Sequence, residues 1–199
     1  SRNIFCATLN AGCTGFCDAL LLANSLQGKT LIVTADTYRK YLNASDQTTR
    51  YIFSDGGSMV LYNPKYVRVE KVKVDCFGDE NECLERKHVD GGYIEMKGSE
   101  VAQFVFKSVI PSLKKITQEK IYKKIYIHQA SKYVLDNIEE ALKNQVTRES
   151  IPRNLEYRGN LVSSSIPYLF QDCGLERGKH LLVGFGVGIS ITIVNLEIS

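Results

Sequence analysis

Apolar positions in this chain fall into short runs and helical stripes that alternate along its length. Residues 4–9 (Ile-Phe-Cys-Ala-Thr-Leu) are nearly continuous in apolarity, the pattern of a strand buried on both faces. Asn10-Ala11-Gly12 breaks the run. From Phe16 the apolar residues recur at helical spacing through Ala19, Leu20, Ala23 and Leu26, with Gly28 placed as a C-cap. Residues 30–35 are β-branched again, so the opening reads strand–turn–helix–strand, the order of a crossover unit in a parallel sheet. Residues 36–53 are polar and irregular. They lead through Ser54-Asp55-Gly56-Gly57-Ser58 into a strand over residues 59–62, which Asn63-Pro64 ends. The charged, glycine-containing stretch 75–92 reads as a linker or surface excursion between two halves.

In the second half Ser99 is placed to cap a helix carrying Val101, Phe104, Val105 and Val109. Pro111 falls inside that pattern and predicts a kink, or two helices in series. Residues 124–127 form a short strand that ends at His128, and Ser131 caps a helix with the stripe Val134, Leu135, Ile138, Leu142. Gly159-Asn160 precedes a further stripe, Ile166, Leu169 and Phe170, closed by Gly174. Residues 181–183 and 189–198 read as two strands joined around Gly184-Phe185-Gly186-Val187-Gly188. A faint repeat runs through this order: each half has a strand ending near one reactive side chain (Cys13, His128) and a helix after it, and each closes on a glycine-rich turn feeding an apolar strand.

Length and composition narrow the class. A chain of 199 residues holds one large domain or two small ones sharing a core, and 44% hydrophobic with 24% charged residues excludes wholesale disorder. The net charge of +3 is too small to argue for nucleic acid. No apolar run reaches the roughly 18 residues of a membrane span, and the opening residues lack a signal-peptide pattern. The six cysteines form neither a C-x-x-C pair nor a secreted framework, and they read as reduced thiols of a cytoplasmic protein. Metal-ligand spacing is absent from the sequence.

Cys13 is the first chemical candidate. It stands at the start of a helix between Gly12 and Gly15, where free N–H groups and roughly half a positive charge favour thiolate and could hold an oxyanion. A small buried thiol packed at a strand–helix junction is an equal reading of position alone, and it suits Cys6 and Cys17 better. A hydrolase elbow needs G-x-S-x-G or its cysteine equivalent, and Gly12 abuts Cys13 directly, so that spacing fails. Among the histidines, His88 reads as a solvated face and His180 as a strand-edge residue. His128 ends a strand, where open α/β sheets bind ligands. Asn160 by itself reads as a turn or cap residue, and the 184–188 turn lacks both G-x-G-x-x-G and a following Lys-Ser/Thr. The basic residues between Lys114 and Lys124 read as a solvated helix and loop.

Taken in order, six segments resemble the β-ketoacyl-acyl carrier protein synthase III family of the thiolase superfamily. They are Asn10-Ala11-Gly12-Cys13-Thr14-Gly15-Phe16, Phe53-Ser54-Asp55-Gly56-Gly57-Ser58, Met96-Lys97-Gly98-Ser99-Glu100-Val101, Ile127-His128-Gln129-Ala130-Ser131, the run 159–165, and Gly184-Phe185-Gly186-Val187-Gly188. The resemblance implies a thiolase-like layered αβαβα α/β fold of two duplicated halves, with the N-terminal part of the first half missing. Residues 1–75 would be the remainder of the half carrying the nucleophile, and 76–199 the half carrying His and Asn. It implies decarboxylative Claisen condensation of an acyl thioester with a malonyl thioester through an acyl-cysteine, with a catalytic triad of Cys13, His128 and Asn160. The backbone N–H groups of Cys13 and Val187 would form the oxyanion hole, and Phe185, Gly186 and Lys132 would contact substrate. Acyl-CoA and malonyl-ACP or malonyl-CoA would be substrates, with no metal or redox cofactor. A cytoplasmic homodimer paired near residues 4–9 is implied as well.

Departures keep alternatives open. Val187 replaces a glycine, Ser131 an asparagine, and Tyr133 an arginine of the carrier-protein face, leaving coenzyme A and acyl carrier protein both open as donor. Non-decarboxylating acyl transfer, giving an ester or amide on the same scaffold, is the alternative activity. An inactive structural fragment is the non-enzymatic one. Fatty-acid initiation and the decoration of a polysaccharide or secondary metabolite both remain as pathways. With the first sheet incomplete, exposed apolar surface is expected.

Overall fold

The helical stripe from Phe16 forms α1 (Gly15–Ser25), preceded by a single 3₁₀ turn at Gly12–Thr14 that carries Cys13. The β-branched run after it forms β1 (Thr30–Asp36), paired antiparallel with β2 (Gly56–Tyr62). A strand that the sequence pattern does not predict follows: β3 (Val67–Cys76), ten residues whose alternation of valine with charge marks a sheet edge. Two three-residue strands, β4 (Leu84–Arg86) and β5 (Ile94–Met96), lie across the charged excursion. The Pro111 pattern resolves into α2 (Gly98–Phe104), a π-helical turn at Val105–Val109 and α3 (Ile110–Glu119), with Pro111 in the first turn of α3, where a missing N–H costs little. Then come β6 (Lys124–Ile127), α4 (Lys132–Leu142), the single turn α5 (Leu155–Arg158), α6 (Ser165–Cys173), β7 (Gly178–Gly186) and β8 (Ser190–Ile198). This computed structural model describes residues 4–26, 28–78, 83–86 and 92–199. His88 lies outside them.

The main sheet runs β3-β8-β7-β6, with β6 and β7 parallel and the other two pairings antiparallel. The expected division at residue 75/76 falls at the end of β3, whose ladder with β8 ties both segments into one sheet. On one face of the sheet Ile125, Ile127, Leu181 and Val183 meet Leu113 of α3 and Leu135 and Ile138 of α4. On the other, Tyr126, Leu182 and Val194 meet Phe16 and Leu20 of α1 and Ile166 and Leu169 of α6. The β1–β2 pair packs Ile32 and Tyr62 onto this second helical layer. The order is helix, sheet, helix, strand pair. Beyond it, the outer face of the strand pair presents Leu31, Val33, Met59 and Leu61 to solvent.

Two readings of the opening change. Residues 4–9 form no strand and are exposed, Ile4 by 80%, because no neighbouring strand among the described residues offers them a ladder. The parallel crossover therefore appears at β6–β7 and not at β1. His180 also differs: β7 is flanked by β6 and β8, and its ring is fully buried beside Tyr126, with Nε2 2.8 Å from the Glu176 carbonyl oxygen.

Candidate functional site

Three loops converge at the ends of β6 and β7. The first is the 3₁₀ turn holding Cys13, which enters through Gly12 at φ 51°. The second leaves β6 at His128, whose backbone N–H continues the sheet by donating to the Val183 carbonyl at 2.8 Å. Gln129 braces it from below: Nε2 donates to the Ile127 carbonyl, and Oε1 accepts from the backbone N–H groups of Asn154 and Leu155. Ser131 then caps α4, accepting from the Val134 N–H at 3.3 Å. The third loop carries Asn160. Its backbone bridges to the 52–54 segment, donating to the Ile52 carbonyl and accepting from the Ser54 N–H. Gly159 turns it at φ 70°, where an added Cβ would collide with Ser54 Oγ.

Cys13, His128, Asn160, Phe185 and Gly186 line one cavity of about 680 Å³. Much of its remaining wall is apolar, including Leu84, Met96, Val101 and Phe106. Asn160 is held rigidly: Oδ1 accepts from the Val162 N–H at 2.9 Å and Nδ2 donates to the Ala130 carbonyl at 3.2 Å, leaving one amide hydrogen. Val162 adopts φ 53°, a left-handed conformation that valine disfavours; such strain collects at functional sites. The Phe185 ring stands edge-on to the His128 ring, 5.6 Å between centroids. Val187 is not a wall residue of the cavity, but its backbone N–H bears on the Cys13 sulfur from the turn after β7. Lys132 lies apart. It is exposed and ion-paired with Asp136 one helical turn on.

Electrostatics correct one expectation. Burial pushes the Cys13 thiol up to about 12; the Val187 N–H pulls the other way, and the Asp36 carboxylate adds to the rise. The turn amides do not offset removal from water, so the resting sulfur at neutral pH is a thiol, not the thiolate expected from the helix terminus. Burial also lowers His128 to about 3, against an opposing effect of the Val162 backbone, and its Nδ1 is buried without a hydrogen-bond partner. The site is thus a neutral thiol, a neutral imidazole and a carboxamide. It can donate hydrogen bonds to a developing oxyanion inside an apolar chamber, where each is stronger than in water.

Asp36 belongs to this site and lies outside every quoted motif; Gln129 and Val162 lie inside the 127–131 and 159–165 segments, which assign them no role in it. Asp36 ends β1 and accepts hydrogen bonds from both the backbone N–H and the hydroxyl of Ser163. The position of Asp36 at a strand end was available as a signal; nothing local marked Val162.

Residues 8–76 match the family model described as 3-oxoacyl-[acyl-carrier-protein (ACP)] synthase III, and residues 114–198 match its C-terminal model. Over 222 aligned residues the chain is 28% identical to the beta-ketoacyl-[acyl-carrier-protein] synthase III of Streptococcus pneumoniae (strain Hungary19A-6), covering 96% of this chain and 67% of that protein. A solved 3-oxoacyl-(acyl-carrier-protein) synthase III superposes with a TM-score of 0.82 at 25% identity, covering 96% of this chain and 68% of the other. The enzyme from Pseudomonas aeruginosa PAO1 superposes at 0.77, also 25% identical, over 96% and 66%. The chain spans about two thirds of the length of these relatives.

Proposed function

The chain belongs to the 3-oxoacyl-[acyl-carrier-protein] synthase III family, and from that premise we propose that Cys13, His128 and Asn160 carry out a decarboxylative Claisen condensation. The observation that carries this reading is the convergence of those three side chains on one largely apolar cavity.

In the first half-reaction the Cys13 sulfur attacks the carbonyl of an acyl thioester. A carbon–sulfur bond forms to Cys13, the bond to the carrier breaks, and the thiol proton leaves with the carrier's sulfur. The N–H groups of Val187 and Cys13, which bear on the sulfur at rest, would hold the oxyanion of this step. In the second, a malonyl thioester loses carbon dioxide and the electron pair of the broken bond moves toward the thioester oxygen. His128 and the free amide hydrogen of Asn160 would stabilise that enolate. A neutral imidazole suits this step, because it donates a hydrogen bond without adding a proton that would quench the carbanion. The carbanion then attacks the acyl-cysteine carbonyl, and Cys13 departs as a thiolate that takes a proton from water.

Phe185 and Gly186 would shape the wall next to the acyl-cysteine, and exposed Lys132 would meet the carrier outside. Substrates would be acyl-CoA and a malonyl group on acyl carrier protein or coenzyme A, with no metal or redox cofactor. We further propose a cytoplasmic homodimer serving fatty-acid biosynthesis, built of two thiolase-like halves at 1–75 and 76–199. The repeated device of a 3₁₀ turn feeding a helix, at Gly12–Thr14 into α1 and at Val162–Ser164 into α6, supports the duplication. No helix among the described residues is long and apolar enough to cross a membrane.

Intact-protein mass spectrometry after incubation with an acyl-CoA tests the reading. An acyl adduct on Cys13 is expected. No adduct, or one that persists in Cys13→Ala, overturns it.

A further inference from the structure

Asp18, in the first turn of α1, lies beside the nucleophile turn but is not part of the cavity wall. Its two carboxylate oxygens take different partners. Oδ2 accepts from the Thr14 hydroxyl at 2.6 Å, and Oδ1 accepts from the Thr192 hydroxyl of β8 at 2.7 Å. Both threonines are buried, and Thr14 adjoins Cys13 in the chain. Thr14 is the N-cap of α1, where a hydroxyl ordinarily accepts from a helix amide, yet it makes no such bond and donates to Asp18 instead. Across the sheet Thr192 pairs with Gly184, which has no side chain to keep the turn away. A Cβ there would lie 2.9 Å from Thr14 Cα and 3.1 Å from the Cys13 carbonyl oxygen. The nucleophile turn thus rests on bare β7 backbone, and Asp18 is its tie to the strand alongside.

We propose that Asp18 is a positioning residue for the nucleophile: by holding Thr14 and Thr192 together it fixes where the Cys13 sulfur sits against the Val187 N–H and an incoming acyl carbonyl. The inference rests on the proposed acylation of Cys13 and adds to it what sets the geometry of that step. A carboxylate beside the apolar layer of Phe16, Leu20, Leu182 and Val194 costs free energy that an apolar residue would not. Its effect is to define one seat for the turn. Apolar contacts tolerate a small slide, whereas two directed bonds to hydroxyls on separate elements do not. Small displacements matter here, because oxyanion donors act only on an oxygen placed about 3 Å from them.

The test compares two reactions of the same sulfur. Acylation by an acyl-CoA needs the oxyanion donors aligned, whereas alkylation by iodoacetamide passes through no oxyanion and needs only access. Both rates are measured at Cys13 by mass spectrometry in wild type, Asp18→Ala, Thr192→Val and Thr192→Ser, with thermal unfolding as the check on folding. For Asp18→Ala the acylation rate at saturating acyl-CoA should fall by roughly 10²-fold, the scale on which a misplacement of about 1 Å acts. Its half-saturating concentration and its alkylation rate should stay within about twofold of wild type, because neither depends on that alignment. Thr192→Val keeps the shape and loses one bond, and should acylate roughly tenfold more slowly. Thr192→Ser restores the hydroxyl and should recover most of that loss; this pair carries the test if Asp18→Ala does not fold. Unchanged acylation in both Asp18→Ala and Thr192→Val overturns the proposal and leaves the acylation of Cys13 standing. Acylation and alkylation that shift together mean that Asp18 only holds the fold, and they overturn it too, as does a Thr192→Ser variant no faster than Thr192→Val. A wild-type protein that forms no adduct overturns the condensing reading, and the positioning role with it.

Discussion

Gly186 and Cys13 touch so closely that a Cβ on Gly186 would lie 2.8 Å from Cys13 Cβ and 2.9 Å from its sulfur. Gly186 also holds φ 153°, a conformation in which a side chain is strained whatever the space. The turn after β7 and the nucleophile turn are therefore fitted to one another, and the contact brings the Val187 N–H onto the sulfur. Gly186→Ala is expected to displace the sulfur and lower the rate of Cys13 acylation by at least about 10², the cost typical of losing one oxyanion donor. Stopped-time mass spectrometry of the acyl adduct checks this. A variant acylated at the wild-type rate would show that the fit is unimportant.

Asn160→Ala separates the two half-reactions. Its amide is proposed to act on the malonyl oxygen, so carbon dioxide release from labelled malonyl thioester should fall by about 10²–10³ while acylation of Cys13 continues. Equal losses in both steps would mean that the residue works by holding its loop, through its bonds to Val162 and Ala130.

Cys13 titrates near 12, well above an ordinary thiol, so its thiolate fraction grows about tenfold per pH unit from neutrality upward. Iodoacetamide should label it more slowly than exposed Cys6 or Cys76 at pH 7, with a rate still climbing at pH 10. Peptide mapping gives each rate. A plateau for Cys13 at or below pH 9 would contradict the burial argument.

His128 is lowered to about 3 from an ordinary 6.5. Between those values the unfolded chain binds a proton that the folded chain does not, so stability is present above about pH 6.5 and is lost as pH falls through the window. The slope from one such group approaches about 1.4 kcal/mol per pH unit. Buried His180 is lowered as well and acts in the same direction. Urea unfolding from pH 4 to 7 should show His128→Gln with a shallower loss than wild type; identical slopes would refute the assignment.

Leu135 is fully buried between α4 and the main sheet. Leu135→Ala is expected to cost about 2–5 kcal/mol by the cavity it leaves, read as a lowered urea midpoint.

Much of this architecture was written locally. The stripe Val134, Leu135, Ile138, Leu142 with its Ser131 cap, and the β6 run ending at His128, need only neighbours in sequence to declare themselves, and they stand as read. Residues 4–9 failed for the complementary reason: an apolar run is a strand only when another strand supplies its hydrogen bonds. β3 escaped notice because its valines alternate with charge on an edge, where one face is wet and the local pattern resembles a polar loop.

Local order in the chain determined which side chains could be reactive and which elements would carry them: a cysteine in a glycine-flanked turn, a histidine ending a strand, an asparagine after a glycine. Only the tertiary structure decided their chemical state. Enclosure in one cavity takes Cys13 and His128 out of water together, and desolvation outweighs the amides of a single turn, so the site rests neutral. That balance depends on atoms contributed by β1, β7 and the 159–162 loop, far apart in sequence, and no local pattern encodes it.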